Sequence, residues 1–97
     1  MSAEAVTEAL RRGIKVIDIS ADFRLKEAEG YQKWYDFAHP APQLLGEAVY
    51  GLVELNRQGI TSSRLVANPG CYPTSAILAL APAVREGLIE PDIAIDA

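Results

Sequence analysis

Apolar residues recur along this chain with two different periods. Ala5, Val6, Ala9 and Leu10 share one stripe at helical spacing, Ser2 stands at an N-cap position and Gly13 at a stop, predicting a helix over Ala3 to Arg12. Ile14 to Ile19 is instead a mostly apolar, β-branched run that ends in the polar turn Ser20-Ala21-Asp22. That is the pattern of a strand buried on both faces of a parallel sheet. Lys26 to Tyr35 returns to helical spacing despite Gly30, with Tyr31, Trp34 and Tyr35 on one face, read as core. His39-Pro40-Ala41-Pro42 predicts a rigid loop, because each proline pushes its predecessor towards extended backbone. Leu44 to Glu47 suits one helical turn, Ala48 to Tyr50 a short strand, and Glu54 to Arg57 another turn before Gly59. Arg64 to Ala67 is a second strong strand, Pro73 to Glu86 the longest helix with Gly87 as its stop, and Ile93 to Asp96 a third strand.

Helices alternating with strands in this way predict an α/β fold with a parallel sheet and crossover helices, Rossmann-like in type. A chain that opens on a crossover helix and closes on an apolar strand would leave sheet edges bare. It is therefore expected to be an internal segment of a longer protein, and to self-associate as a homo-oligomer when isolated.

Composition narrows the partners. The 97 residues carry a net charge of −4 with 49% hydrophobic content, and lysine and arginine are scattered, which argues against a nucleic-acid partner. No apolar run is long enough to span a bilayer, and the N-terminus has no charged-then-apolar leader, so a reducing cytoplasm is expected and no membrane partner. A single cysteine cannot form an internal disulfide. Glu86, Glu90, Asp92 and Asp96 have no metal-ligand spacing and read as solvated surface, so no metal is expected.

The chemistry concentrates in Asn68-Pro69-Gly70-Cys71-Tyr72-Pro73-Thr74, where the apolar strand hands over to the long helix. A lone cysteine is most often a small buried hydrophobe. Here it stands at or just before a helix start, where free backbone N–H groups and the positive end of the helix dipole favour a thiolate. Gly70 allows a close backbone approach or a positive φ, and Pro73 lies where a missing N–H costs nothing. Asn68 and the backbone N–H groups of the helix start are candidates for stabilising an oxyanion.

Ser20-Ala21-Asp22-Phe23-Arg24 follows the C-terminal end of a strand, the edge where open α/β sheets place ligands. Arg24 can grip a carboxylate or phosphate with two prongs, and the alternative is a plain Asx-type turn with an Asp22–Arg24 ion pair. His39, between rigid prolines, reads as a structural loop histidine rather than a partner for Cys71. Tyr50 and Asn56 are weaker candidates for substrate contact.

Four blocks in order carry a resemblance: Val16-Ile17-Asp18-Ile19-Ser20-Ala21-Asp22-Phe23-Arg24, His39-Pro40-Ala41-Pro42, Val49-Tyr50-Gly51-Leu52-Val53-Glu54-Leu55-Asn56 and Val66-Ala67-Asn68-Pro69-Gly70-Cys71-Tyr72-Pro73-Thr74. Together they resemble a middle portion of the N-acetyl-gamma-glutamyl-phosphate reductase family. One departure is Val53, where that family commonly has proline. The resemblance implies NADPH-dependent reduction of an acyl phosphate to an aldehyde in arginine biosynthesis, through a thioester on Cys71. It implies a small-molecule acyl-phosphate substrate and NADP as cofactor, with Ser20 and Gly70 near the cofactor and Asn68 and Arg24 near the substrate. It also implies that residues 1–70 are the later part of a dinucleotide-binding domain and 71–97 the start of a catalytic domain. The family's acid/base histidine and glycine-rich fingerprint are expected outside these residues, so the isolated chain is expected to be inactive. The alternatives are a lysine-pathway homologue, an aspartate-semialdehyde dehydrogenase-like enzyme, or a non-catalytic α/β binding or assembly module.

Overall fold

The computed structural model describes residues 2–97. Its centre is a three-stranded parallel sheet in the order β1-β3-β2, formed by β1 (Val16–Asp18), β2 (Val49–Tyr50) and β3 (Leu65–Ala67). Val16, Ile17 and Asp18 face Leu65, Val66 and Ala67 in register, while Val49 and Tyr50 face Val66 and Ala67. The α/β, parallel architecture expected from the alternation of periods is the one observed. Four α-helices surround the sheet: α1 (Ala3–Arg11), α2 (Ala28–Tyr35), α3 (Val53–Ser62) and α4 (Cys71–Arg85). Among the described residues no helix is long and apolar enough to cross a membrane.

The core lies on one side of the sheet. Ala3, Val6 and Leu10 of α1 pack with Leu65, Ala67, Phe23, Tyr31 and Leu45 into one buried cluster. Helix α1 ends as its sequence suggests: Gly13 takes a φ of +76°, and the amides of Gly13 and Ile14 bond back to Leu10 and Ala9. Its beginning differs, because Ser2 makes no capping bond. The Asp22 carboxylate takes that role from 20 residues away, accepting from the amides of Ser2 (2.9 Å) and Ala3 (3.2 Å).

Several expected elements shift for local reasons. The strand expected over Ile14 to Ile19 contracts to three residues, since the Ile14 amide closes α1 and Ser20 begins the next turn. Burial on both faces is not observed: Ile17 is 65% exposed and Ile19 78%. Trp34 and Tyr35 are exposed rather than core, leaving Tyr31 as the buried ring of α2. The turn expected to stop at Gly59 runs on as α3 to Ser62, with a kink at Asn56, whose side-chain amide donates to the Tyr50 carbonyl (2.9 Å). Gly59 lies inside the helix, where a Cβ would meet Val49 at 3.4 Å, an ordinary contact distance. Ile93 to Asp96 forms no strand, having no ladder to join, and lies exposed and irregular.

Tyr31 locks the loop that follows β1. Its fully buried hydroxyl donates to the Ala21 carbonyl (2.9 Å) and accepts from the Leu25 amide (3.0 Å). Burial raises its pKa above the ordinary tyrosine value, with the bond accepted from the Leu25 amide pulling the other way. The native state therefore holds this proton more tightly than the unfolded chain. Its contribution is complete below about pH 10 and is lost as pH rises through the native value. Tyr31→Phe is expected to cost about 2 kcal/mol at neutral pH and to remove that alkaline loss. Urea midpoints from pH 8 to 11 check this, and parallel curves for both proteins would refute it.

Candidate functional site

All three strands point their C-terminal ends towards one edge, where the loops after Asp18, Tyr50 and Ala67 meet. The backbone joins them: the Asn68 amide donates to the Asp18 carbonyl (2.8 Å) and the Gly51 amide to the Ala67 carbonyl (2.8 Å). Gly51 has to be small, because a Cβ would come 2.8 Å from Val66 and 3.1 Å from the Ala67 carbonyl.

From this edge Pro69 and Gly70 lead straight into α4, whose first residue is Cys71, two positions earlier than the proline pattern predicts. The thiol is free and exposed. Gly70 is the N-cap and supplies no side-chain cap, while Pro73, in the first turn, has no N–H to satisfy. The Thr74 amide and hydroxyl both bond the Gly70 carbonyl (3.0 and 2.8 Å), and the Ser75 hydroxyl bonds the Tyr72 carbonyl (2.9 Å). The first helical amides, at Cys71 and Tyr72, are thus directed towards the space in front of the helix, an arrangement that favours developing negative charge.

Arg24 reaches this turn from the loop after β1. Its Nε donates to the Asn68 carbonyl (2.9 Å) and its Nη2 to the Ile19 carbonyl (3.2 Å). The ion pair with Asp22 is absent among the described residues, because the Asp22 carboxylate is engaged at the start of α1. Gly70 has a φ of −74°, so a positive φ is not what requires glycine there. A Cβ would stand 3.1 Å from Arg24 Nη1, the end of a flexible side chain that would have to give by a few tenths of an ångström. The Asn68 side-chain amide donates to the Pro69 carbonyl (3.2 Å) and is otherwise exposed.

Ser20 is held more completely than its sequence context suggests. Its hydroxyl donates to Asp18 Oδ2 (2.7 Å), accepts from the Asp22 amide (3.0 Å) and meets the Ser2 hydroxyl (2.8 Å). Asp18, which sequence reasoning passed over, is buried and organises this turn by accepting the Ser20 amide as well (3.2 Å). The available signal was an aspartate closing a strand two residues before a serine, an Asx-type turn.

His39 lies elsewhere. It is 7% exposed, its Nε2 donates to the Asp22 carbonyl (2.5 Å), its Nδ1 accepts the Ala41 amide (3.1 Å), and Phe23 and Tyr31 flank the ring. Both ring nitrogens are occupied in holding the loop. Tyr50 and Asn56 bond each other through a backbone carbonyl and side-chain amide beside β2. A groove of about 440 Å³ between α3 and α4, lined by Leu55, Leu78, Pro82 and Arg85, lies towards the far end of α4 from Cys71.

Residues 1–63 match the family described as semialdehyde dehydrogenase, NAD binding domain. The chain belongs to this family. Curated relatives named N-acetyl-gamma-glutamyl-phosphate reductase extend the likeness past Cys71. The protein from Dehalococcoides mccartyi is 64% identical over 95 residues, covering 98% of this chain and 28% of the relative. That from Magnetococcus marinus is 57% identical over 94 residues (97% and 27%). That from Heliobacterium modesticaldum is 52% identical over 98 residues (100% and 28%). The semialdehyde dehydrogenase-type chain thus spans just over a quarter of the length of these relatives.

The family implies a nicotinamide cofactor. Gly51 and Gly70, at the C-terminal edge of the sheet, have their Cβ space filled by Val66 and Arg24, so neither turn is a pyrophosphate cradle. Gly13 is open, with no atom within 4 Å of its Cβ position, but it sits at the opposite end of β1. What remains at the C-terminal edge is the exposed Ile19, just beyond β1, and the exposed thiol that opens α4.

Proposed function

We propose that this chain is the cysteine-bearing segment of an NADPH-dependent acyl-phosphate reductase that converts N-acetyl-glutamyl 5-phosphate to N-acetyl-glutamate 5-semialdehyde in arginine biosynthesis. The observation that carries this reading is the placement of the one free, exposed cysteine as the first residue of α4, at the ligand-side edge of a parallel sheet. The names of the relatives supply the substrate.

In this reading Cys71 attacks the acyl carbon as its thiolate, the acyl–oxygen bond breaks and phosphate leaves, giving a thioester on Sγ. The backbone amides of Cys71 and Tyr72, with the Asn68 side chain, stabilise the oxyanion of the tetrahedral state. The hydride that would take the thioester to the aldehyde oxidation level is the chemistry a reduced nicotinamide would supply when bound. The carbon–sulfur bond then breaks, releasing the semialdehyde and restoring the thiolate. Ser20 and Gly70 line the nicotinamide side, Ser20 through its backbone, since its hydroxyl is committed to Asp18. Residues 1–70 complete the cofactor-binding domain, and 71–97 open the catalytic domain, in keeping with an α4 that has no buried residue.

The setting we propose is a reducing cytoplasm, where an exposed thiol persists, with neither nucleic acid nor membrane as partner. Ile14, Ile17 and Ile19 form a bare apolar edge, which supports a homo-oligomer. Sedimentation as a dispersed monomer at all concentrations would remove the oligomer.

The test of the function is the reverse reaction of the full-length protein, with semialdehyde, phosphate and NADP, followed as NADPH appearance at 340 nm. Phosphate-dependent NADPH formation is expected. Its absence, or turnover with aspartate semialdehyde alone, would overturn the assignment.

A further inference from the structure

We infer that Asn56 is a positioning residue for the Cys71 turn, acting through the Tyr50–Gly51 peptide across the end of the sheet. The inference rests on the reading of Cys71 as nucleophile. Asn56 is the residue inside α3 whose backbone is not helical (φ −130°, ψ 23°), and its side-chain amide donates to the Tyr50 carbonyl (2.9 Å). Only the nitrogen of that amide can donate, so chemistry fixes which way the group points. The same peptide unit is held at its other end, where the Gly51 amide donates to the Ala67 carbonyl (2.8 Å). The next unit repeats the pattern, since the Asn68 amide donates to the Asp18 carbonyl (2.8 Å). A single file of hydrogen-bonded peptides therefore crosses the ends of β2, β3 and β1 in their spatial order, and it begins at Asn56. Each bond in such a file polarises the next.

The file is braced by neighbours that yield little. A Cβ on Gly51 would stand 2.8 Å from Val66 Cγ1, on a β-branched side chain with restricted χ1, and 3.1 Å from the Ala67 carbonyl oxygen. It would also stand 3.5 Å from Pro69 Cδ. Gly51 thus lies flat against both the end of β3 and the turn that leads to Cys71. Asn68, Pro69 and Gly70 alone separate β3 from α4, so a shift of the Tyr50–Gly51 peptide passes to the thiol through a short and tightly contacted path. Asparagine suits a helix interior poorly, because its side chain competes for nearby backbone groups. Here that competition is put to use, at the point where α3 kinks.

Misplacing a reacting group by about 1 Å can cost about 10²-fold in rate. Asn56→Ala in the full-length protein is expected to lower kcat by about tenfold, less than that limit because the bond from Gly51 to Ala67 stays. KM for the acyl phosphate is expected to change less than about threefold, because the lost contact is to backbone. Asn56→Asp separates this role from a substrate contact: it keeps the shape and an oxygen that a substrate donor could use, but it turns an acceptor towards the Tyr50 carbonyl. It should lose at least as much kcat as Asn56→Ala. An aspartate variant with wild-type kcat, an alanine variant with unchanged kcat, or a loss confined to KM would overturn the inference. Hydrogen exchange read by mass spectrometry follows the file without turnover. Peptides containing the Gly51 and Asn68 amides should exchange about tenfold faster in both variants, while the peptide covering 3–11 keeps its rate. An equal quickening over 3–11 would mean a general loss of stability, and unchanged exchange at Gly51 and Asn68 would mean that Asn56 does not hold the file; either result sinks the inference. Quickening confined to those amides, in a protein whose wild type shows no reductase activity, would uphold the file while sinking the proposed function.

Discussion

Cys71→Ser in the full-length protein is expected to lower reductase turnover by at least about 10³-fold while leaving the thermal midpoint where it is. The activity estimate follows from the role proposed for the sulfur. A serine hydroxyl is a far weaker nucleophile at neutral pH without an adjacent base, and removal of a covalent nucleophile commonly costs several orders of magnitude. His39 offers no such base, since both its nitrogens are engaged in the loop. The stability estimate follows from exposure, because the thiol packs into no core and surface substitutions stay within about 0.5 kcal/mol. Mass spectrometry of protein mixed with acyl phosphate, with no NADPH present, adds a direct readout. The wild type should gain the mass of an acyl group on the peptide containing Cys71, and the serine variant should not accumulate it. Turnover retained by the serine variant would remove Cys71 from the chemistry.

What the sequence made legible was local. The helix before Gly13, the apolar strand before Asn68 and the thiol at a helix start all follow from spacing within a few residues and stand in the structure, although the buried stripe of α1 is Ala3, Val6 and Leu10, with Ala5 exposed and Ala9 half-buried. What it hid was decided at a distance. Ile17 and Ile19 have the residue types of a doubly covered strand, yet burial depends on which elements lie over them, and those isoleucines are open. Gly59 has the residue type of a helix stop, yet α3 runs through it to Ser62. Of the two roles open to Gly70, a positive φ is not observed and a near neighbour is, and that neighbour, Arg24, lies 46 positions earlier, beyond the reach of spacing. An Asp22–Arg24 pair is one of the two readings that closeness in sequence allows, but the start of α1 offers Asp22 two orphan amides and a hydroxyl.

Asp22 accordingly carries the largest stability effect expected here. Its carboxylate is 7% exposed, accepts the amides of Ser2 and Ala3 and the Ser2 hydroxyl, and so satisfies donors that Ser2 leaves open at the N-terminus of α1. Asp22→Ala removes a cap worth about 1–2 kcal/mol and leaves buried donors unpaired, which raises the expected loss to about 3 kcal/mol. For a domain of this size that is a fall in Tm of roughly 10–20 °C. Asp22→Asn keeps an oxygen acceptor and loses the charge that suits the positive end of the helix, so about half of that loss is expected. The Asp22 backbone also holds His39 and Ser20, and these contacts survive both substitutions. The damage should thus begin at α1 and its packing on β1. Thermal unfolding followed by circular dichroism gives the ranking wild type, Asp22→Asn, Asp22→Ala. An alanine variant that melts with the wild type would mean that α1 does not depend on this carboxylate for its start.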